Sequence, residues 1–313
     1  MAGEMRSAPL EYYIVDVFTD TPLAGNPLAV VFDSAGLGTE RMQAIAHEFN
    51  LSETTFVQRR PADVESAEGV RVRIFTTQEE LPFAGHPTLG TASVLRAHAP
   101  ETLRGGTIAL ALNVGPVPVR FGEPPDGNAG APSAVFGEMT QRDPEFGAKL
   151  DPADVARITG LMPEDFDPEL TPQVVSTGTA FAVVMLRSSE ALSRLKVDHD
   201  AATPWLRERG GRWFYVLAPD AHWNSHCAKR YRARMQFYGG EDPATGSAAG
   251  CAISYLVARG AVASDLKIHL RQGIEIGRPS DLFLSARMLA ARVTDVRVAG
   301  STVPVAAGRL FLP

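Results

Sequence analysis

The chain has 313 residues, of which 45% are hydrophobic and 21% are charged, a composition typical of a globular protein with one or two domains. Its formal net charge is −6 and its basic residues are scattered, which argues against binding to nucleic acid or to an anionic membrane. No apolar run is long enough to span a bilayer, the start lacks a signal-peptide pattern, and two cysteines give no disulfide framework. We therefore expect a cytoplasmic protein.

The first part of the chain is predicted to contain mostly short strands. Period-2 patterns rich in β-formers indicate strands at residues 12–18, 28–32, 51–57, 70–75, 108–112 and 117–121, the first two forming a hairpin. Between the second and third strands, apolar residues at helical spacing predict a helix. Thr39 is its predicted N-cap, and Asn50 is its predicted end.

Residues 122–133 are rich in Gly, Pro, Asp and Asn without periodicity, which indicates a boundary between two domains. Beyond it, Asp151, Pro152 and Gly160 are the N-cap, first residue and stop signal of a predicted helix. Another helix is predicted at residues 201–209. Strands are predicted at 134–139, 213–218 and 234–238, within 174–186 after a turn at residues 177–178, and, together with turns, over 268–312. We predict an N-terminal domain at 8–125, a C-terminal domain at 134–300, and a tail at 301–313 that packs back on the first domain.

Two stretches share an unusual pattern. The chain reads Phe-Ala-Gly-His-Pro-Thr-Leu-Gly-Thr-Ala over residues 83–92, and Gly-Gly-Glu-Asp-Pro-Ala-Thr-Gly-Ser-Ala over residues 239–248. With the prolines aligned, His86 matches Asp242 and Thr91 matches Ser247. Each proline fits the first position of a helix, and Asp242 fits an N-cap, so we predict helices at 87–97 and 243–259.

A helix that opens in this way presents unpaired N–H groups and the positive end of its dipole, and therefore favours an anion. Two such openings predict duplicated halves whose helix N-termini face one pocket. We expect that pocket to hold a small carboxylate-bearing substrate, contacted by Ser247 and by small residues that permit close approach, namely Gly85, Gly90, Thr91, Gly240 and Gly246.

The order of elements also predicts the fold class. Each half has mostly short strands and one buried helix that enters late, which differs from the regular alternation of a doubly wound sheet. We expect an α+β protein of two pseudo-symmetric domains, each a mostly antiparallel, partly closed sheet wrapped around a central helix.

Five segments in order resemble the PhzF-like isomerase family of phenazine biosynthesis. They are Gly25-Asn-Pro-Leu-Ala-Val30, Asn50-Leu-Ser-Glu-Thr-Thr-Phe-Val57, Phe83 to Thr91, Gly240 to Ala248, and Gln272-Gly with Gly277-Arg-Pro-Ser280. The resemblance implies a diaminopimelate-epimerase-like fold with the active site between its domains. It also implies a homodimer and a cofactor-independent isomerase, whose substrate in the phenazine enzyme is a dihydro-hydroxyanthranilate.

The resemblance further implies that Glu53 is the general acid/base, and that His86, Asp242 and Ser247 contact the substrate or assist proton movement. Without it, Glu53 would be interpreted as an exposed carboxylate at a turn, and His86 and Asp242 as helix caps. A base that returns its proton near neutral pH must have a raised pKa, so Glu53 is expected to be buried.

Other chemistries have weaker support. His222 and His226 have the spacing of a zinc helix, but Trp223 replaces the required Glu, so we predict no metal site. Cys227 and Cys251 lie at neither helix opening, which disfavours a two-thiol epimerase, and no nucleotide-binding fingerprint is present. Two alternatives remain: an amino-acid epimerase or lyase on the same fold, and a non-catalytic metabolite- or protein-binding module. A solvent-facing Glu53 would favour the binding module.

Overall fold

The computed structural model describes residues 9–125, 131–220, 227, 229–237 and 240–312. The strands are β1 (Leu10–Val17), β2 (Asn26–Val31), β3 (Glu53–Gln58), β4 (Val70–Thr76), β5 (Glu80–Leu81), β6 (Thr107–Leu112), β7 (Gly115–Gly122), β8 (Val135–Thr140), β9 (Glu145–Lys149), β10 (Gln173–Ser176), β11 (Ala180–Met185), β12 (Trp213–Pro219), β13 (Arg230–Arg234), β14 (Gln236–Phe237), β15 (Gly240–Glu241), β16 (Ile268–Gln272), β17 (Ser280–Leu289) and β18 (Arg292–Leu310). The α-helices are α1 (Thr39–Phe49), α2 (Ala62–Glu68), α3 (Gly85–His98), α4 (Pro152–Thr159), α5 (Ser189–Ser193), α6 (His199–Glu208) and α7 (Gly246–Ala258).

Eight strands close into a barrel around α3. The order β1-β2-β3-β4-β6-β7-β8-β18 returns to its start because β18 also pairs with β1, from Leu10–Leu310 to Val17–Thr302. The alternation predicted for β4 is present: Val70, Val72 and Ile74 are buried, whereas the arginines between them are partly exposed. All residues of α3 from Gly85 to Leu95 are buried, since strands surround it.

The remaining strands form an open sheet in the order β18-β17-β16-β13-β12-β11-β10-β9. Its inner face packs on α7, whose residues from Gly246 to Val257 are all buried, as expected for an encircled helix. The opposite face holds a separate apolar cluster with α4, α5 and α6, which includes Val155, Leu192 and Leu206. Each sheet therefore encloses one fully buried helix.

Strand β18 belongs to both sheets. It pairs with β17 over residues 292–299, with β8 over 297–302, and with β1 over 302–310. The expected α+β class with a helix at the centre of each sheet is present, but the first sheet is fully closed rather than partly closed. Because one strand continues through both sheets, the expected two-domain architecture is not confirmed. The domain limits remain a prediction.

The two buried helices begin at other residues than predicted. Helix α3 begins at Gly85, two residues before Pro87, which therefore still lies in the first turn, where a missing N–H is tolerated. Helix α7 begins at Gly246, three residues after Pro243. The delay has a physical cause, because the carbonyls of Asp242, Pro243 and Ala244 accept hydrogen bonds from the side chains of Gln272, Ser280 and Asn26, respectively.

Local sequence signals are accurate where both helix ends are marked. In α4, the Asp151 carboxylate accepts a bond of 2.8 Å from the Ala153 N–H, and Gly160 ends the helix in the left-handed conformation, as predicted. Helix α1 ends at Asn50 as expected, but its N-cap is Gly38, one residue before Thr39. The short elements α2, α5, β5 and β9 were not predicted. Among the described residues, no helix has the length and apolarity that a membrane crossing requires.

Candidate active site

The N-termini of α3 and α7 meet at two glycines. A Cβ placed on Gly85 would lie 2.5 Å from the Gly246 Cα and would overlap the Ser247 N, so no larger residue fits at Gly85 without a backbone shift. Neither helix has a side-chain cap. The N-termini of both helices therefore lie against each other, and it stays a prediction that their first-turn N–H groups face one pocket.

Glu53 and His86 lie beside this junction and face each other. Glu53 is the first residue of β3, and its backbone is paired with β2 and β4; His86 is in the first turn of α3. The distance from His86 Nε2 to Glu53 Oε2 is 3.4 Å, and within the described part of the chain both atoms are buried without a hydrogen-bond partner. Glu53 is only 8% exposed, which excludes the solvent-facing position that would favour a binding module.

Asp242 comes from the opposite sheet but is held by residues of the barrel. Its Oδ1 accepts bonds of 2.8 Å from Asn26 Nδ2 and 2.9 Å from Ser52 Oγ, and its Oδ2 accepts one of 2.6 Å from Thr245 Oγ1. Asp242 is therefore not the N-cap of α7, because Thr245 occupies the cap position and no backbone N–H of the helix binds the carboxylate. Three donors stabilise it as a carboxylate.

Gln272 fixes the segment that carries Asp242. Its Nε2 donates to the Asp242 carbonyl and to Thr245 Oγ1, at 2.8 and 3.0 Å, and its Oε1 accepts from the Thr245 N–H and the Tyr215 hydroxyl, at 3.1 and 2.9 Å. The amide thus has all four of its bonds. Since Gln272 occupies one lone pair of Thr245 Oγ1, the Thr245 proton is directed to Asp242.

Burial shifts the pKa values of Glu53, Asp242 and His86. It raises the pKa of Glu53 well above its ordinary value, and the negative charge of Asp242 raises this pKa further. Burial also raises the pKa of Asp242, to about 6, against the lowering effect of its hydrogen bonds. Burial lowers the pKa of His86 to about 3, so its imidazole is neutral and the contact with Glu53 is not an ion pair.

Three other predicted substrate contacts have different surroundings. A Cβ on Gly90 would clash with the side chains of Leu28 and Val17, so this glycine permits close packing of α3 on the barrel wall. The hydroxyl of Thr91 is buried and donates to Thr55 Oγ1 at 2.8 Å. Gly240 pairs with Phe237 in the small β14–β15 hairpin. Packing and hydrogen bonding account for Gly90 and Thr91 without a ligand.

Ser247 and Gly246 lie in the first turn of α7, at the junction itself. Ser247 is 4% exposed, and its hydroxyl makes no hydrogen bond to any described residue, so it is available to a ligand. Gly246 touches the ring of Phe18 and the Gly85 backbone. The substrate-contact roles of Ser247, Gly85 and Gly246 thus remain predictions with suitable geometry.

Cys251 takes no part in this arrangement. Cys251 is buried in α7, with Thr177 Oγ1 at 3.7 Å from its Sγ, and burial raises the pKa of its thiol to about 12. His222 and His226 lie outside the described residues. Within the described ranges, no group of His, Cys, Asp and Glu side chains is arranged to hold a metal ion.

Several residues of the site were not assigned a role from the sequence. Asn26, Ser52 and Gln272 bind Asp242 or its backbone, and each lies in one of the five quoted segments. The sequence signal that could have identified Asn26 and Gln272 is an amide next to Gly or Pro. Arg278 donates to the carbonyls of Ala24 and Gly25 and pairs with Asp16 at 2.6 Å.

Known proteins share both the sequence and the fold. The family described as phenazine biosynthesis-like protein matches residues 15–308. Trans-2,3-dihydro-3-hydroxyanthranilate isomerase of Pseudomonas aeruginosa is 37% identical over 306 residues, which cover 96% of this chain and 99% of that protein. Another P. aeruginosa protein, described as a predicted epimerase, has a solved structure with a TM-score of 0.79, 32% identity, and coverage of 97% of this chain and 100% of its own.

A Bacillus anthracis phenazine biosynthesis protein of the PhzF family has a TM-score of 0.81 at 24% identity, with coverage of 97% and 100% of the two chains, and supports the fold alone. Together these matches define an enzyme of the isomerase class, with the same fold over nearly its whole length. The chain belongs to the phenazine biosynthesis-like, or PhzF, family.

Proposed function

We propose that this isomerase moves a proton within a small carboxylate-bearing molecule without a cofactor, with Glu53 as the single general acid/base. The observation that supports this most directly is the pair of buried polar atoms, Glu53 Oε2 and His86 Nε2, that lack partners among the described residues beside two uncapped helix N-termini. Buried polar atoms without partners are costly, and a bound substrate would satisfy them.

The two helix N-termini suit the carboxylate of such a substrate. Gly85, Gly246 and Ser247 lie where the two helices touch, so we expect their N–H groups to face this carboxylate, and the two dipoles favour negative charge. When Glu53 removes a proton from carbon, negative charge spreads toward the substrate carboxylate. The same N–H groups then stabilise that charge in the transition state, an electrostatic contribution that is usually large.

The charge state of the site suits a group that takes a proton and returns it. Burial and the Asp242 carboxylate raise the pKa of Glu53, which brings it closer to neutral pH and makes both transfers accessible. Neutral His86 offers a hydrogen bond rather than a charge. Asp242 is bound by three donors and has a pKa of about 6, so we assign it a negative charge at neutral pH and not the role of a second base as in a racemase.

The relatives suggest the substrate class. The P. aeruginosa relative is named an isomerase of trans-2,3-dihydro-3-hydroxyanthranilate, an unsaturated cyclic amino carboxylate. We propose that the substrate of this chain is likewise unsaturated and carries a carboxylate, so that the carbanion formed by Glu53 is delocalised. This class includes the named substrate of the relative and related cyclic dienes.

The test combines a substrate screen with Glu53→Gln. Unsaturated cyclic carboxylates and amino acids are incubated with the enzyme in deuterated buffer and followed by proton NMR. We expect a double-bond shift in at least one cyclic diene. The Glu53→Gln variant, which keeps the side-chain volume, should lower kcat/KM by at least about 10³-fold. Its circular dichroism should be unchanged.

The isotope pattern separates the alternatives. One base that works on one face returns much of the original hydrogen to a new carbon, whereas a two-base epimerase introduces deuterium at the carbon that inverts. Deuterium at an inverted centre of an amino acid would show that the enzyme catalyses epimerisation and not isomerisation. Full activity of Glu53→Gln would remove Glu53 from the mechanism, and tight binding of a screened carboxylate without turnover would indicate a binding module.

A further inference from the structure

Asn26 touches both His86 and Asp242. It is the first residue of β2, is completely buried, and follows Gly25, whose left-handed φ of 65° turns the chain into the strand. Its Nδ2 lies 2.8 Å from Asp242 Oδ1, 2.8 Å from the Ala244 carbonyl oxygen, and 3.1 Å from His86 Nδ1. The amide therefore joins the first turn of α3 to the segment that precedes α7.

The orientation of this amide is fixed by its neighbours. The Ala244 carbonyl oxygen can only accept a hydrogen bond, and Asp242 is an acceptor when ionised. If the amide were rotated by 180°, its oxygen would face both oxygens at 2.8 Å, and both contacts would become repulsive. The NH₂ group must therefore point to Asp242, Ala244 and His86, and because it has only two N–H bonds, one of them is shared between two of these acceptors.

This orientation determines which nitrogen of His86 carries the proton. A proton on Nδ1 would face the NH₂ group of Asn26 and would have no acceptor among the described residues, whereas an unprotonated Nδ1 accepts from Asn26. The single proton of a neutral imidazole must then lie on Nε2, the atom that faces Glu53 Oε2.

We propose that Asn26 is a positioning residue that fixes His86 in the Nε2–H tautomer and aligns it with Asp242. His86 then acts only as a hydrogen-bond donor, directed at Glu53 or at the substrate atom that accepts negative charge. It cannot be the base, because its one lone pair faces Asn26. The catalytic consequence rests on the proposed function, but the tautomer itself does not.

The tautomer can be measured without any substrate. Protein labelled with ¹⁵N-histidine is examined by long-range ¹H–¹⁵N correlation, with His86 assigned from the pattern lost in His86→Gln. In the wild type we expect a protonated Nε2 and an unprotonated Nδ1 between pH 6 and 8. In Asn26→Leu, which removes the donor without adding charge, His86 should lose its preference and show a mixture of tautomers, and kcat should fall about 10²- to 10⁴-fold.

Ser52→Ala is the matched control, because it removes another donor to Asp242 Oδ1 without contact to His86. Its His86 pattern should match the wild type. The wild-type measurement tests the proposal even if Asn26→Leu does not fold. A protonated Nδ1 in the wild type, or an unchanged Nε2–H pattern in folded Asn26→Leu, would overturn the proposal. If activity were lost while the Nε2–H tautomer was retained, the result would count against the role proposed for Glu53 and not against the tautomer.

Discussion

Glu53 is the residue whose surroundings differ most from those of an ordinary carboxylate. It lies within a closed barrel beside a neutral imidazole and a second carboxylate, and no cationic partner of its side chain is found in the described part of the chain. A buried charge without compensation destabilises the folded state. The protein therefore tolerates an unfavourable position for this carboxylate, as is common where a group is needed for chemistry rather than for stability.

This cost should be visible in the pH dependence of stability. Because the pKa of Glu53 is raised in the folded state, that state binds more protons than the unfolded chain, and the free energy of unfolding falls as the pH rises above about 4.3. Glu53→Gln removes this dependence. We expect the Tm of Glu53→Gln to equal that of the wild type near pH 4 and to exceed it by about 2–4 °C at pH 8.

Calorimetry across this pH range provides the measurement. Glu48→Gln is the control for the loss of one negative charge, because Glu48 is exposed on α1. It should leave the Tm difference from the wild type near zero at every pH. Equal Tm values for Glu53→Gln and the wild type at pH 8 would show that ionised Glu53 is solvated and not buried.

At the residue scale, the sequence motifs located the ionisable members of the site but not the amides that orient them. Glu53, His86 and Asp242 come together as predicted, although their roles remain to be tested. Asn26 and Gln272 were not assigned because a buried amide looks like a surface amide in a sequence. Their function depends on contacts with Asp242, which is 216 residues away from Asn26 in the sequence and 30 residues away from Gln272.

The next scale is that of the two buried helices, and their crossing depends on Gly85. Any side chain at this position would enter the backbone of α7 at Gly246 and Ser247. We expect Gly85→Ala to separate the helix N-termini, to lower the free energy of unfolding by about 1–3 kcal/mol, and to lower kcat/KM by about 10²-fold. Denaturant unfolding and steady-state kinetics measure the two effects.

Gly36→Ala is a suitable control, because a Cβ at Gly36 would meet no atom within 4 Å. It should change the free energy of unfolding by less than about 0.5 kcal/mol. If Gly85→Ala retained full activity and stability, the close approach of the helices would not be needed for the reaction. At this scale, periodicity predicted the longer strands and helices. It did not predict where α7 begins, because distant side chains bind the carbonyls of the residues before the helix.

At the scale of the whole molecule, Arg278 connects the two sheets. It lies between β16 and β17 of the open sheet and binds the loop between β1 and β2 of the barrel, including the Gly25 carbonyl next to Asn26. Its partner Asp16 is buried, with 3% of its side chain exposed, and burial raises the pKa of this carboxyl although Arg278 opposes the shift. The pair therefore holds the Asn26 turn in place.

Removal of Arg278 should weaken the whole protein. Arg278→Met keeps an apolar stem but leaves Asp16 buried without a cation, so we expect the free energy of unfolding to fall by about 3 kcal/mol. Adding Asp16→Asn should recover part of this loss, because the buried charge is then absent. Urea unfolding of both single variants and the double variant measures the coupling.

Arg297→Met is the control, since Arg297 pairs with Asp295 and Glu138 at the surface with 40% of its side chain exposed. That change should cost less than about 1 kcal/mol. Equal losses for the Arg278 and Arg297 variants would mean that the contact between the two sheets adds no more stability than a surface ion pair.

Because β18 belongs to both sheets, the barrel depends on a strand that is translated late. Seven of the eight barrel strands are complete at Thr140, but the eighth begins only at Arg292. While the chain emerges from the ribosome, β1 and β8 present unpaired edges until the whole intervening sheet has been translated. The barrel therefore closes late, and we infer that a nascent chain halted before Arg292 is a substrate for chaperones rather than a folded half.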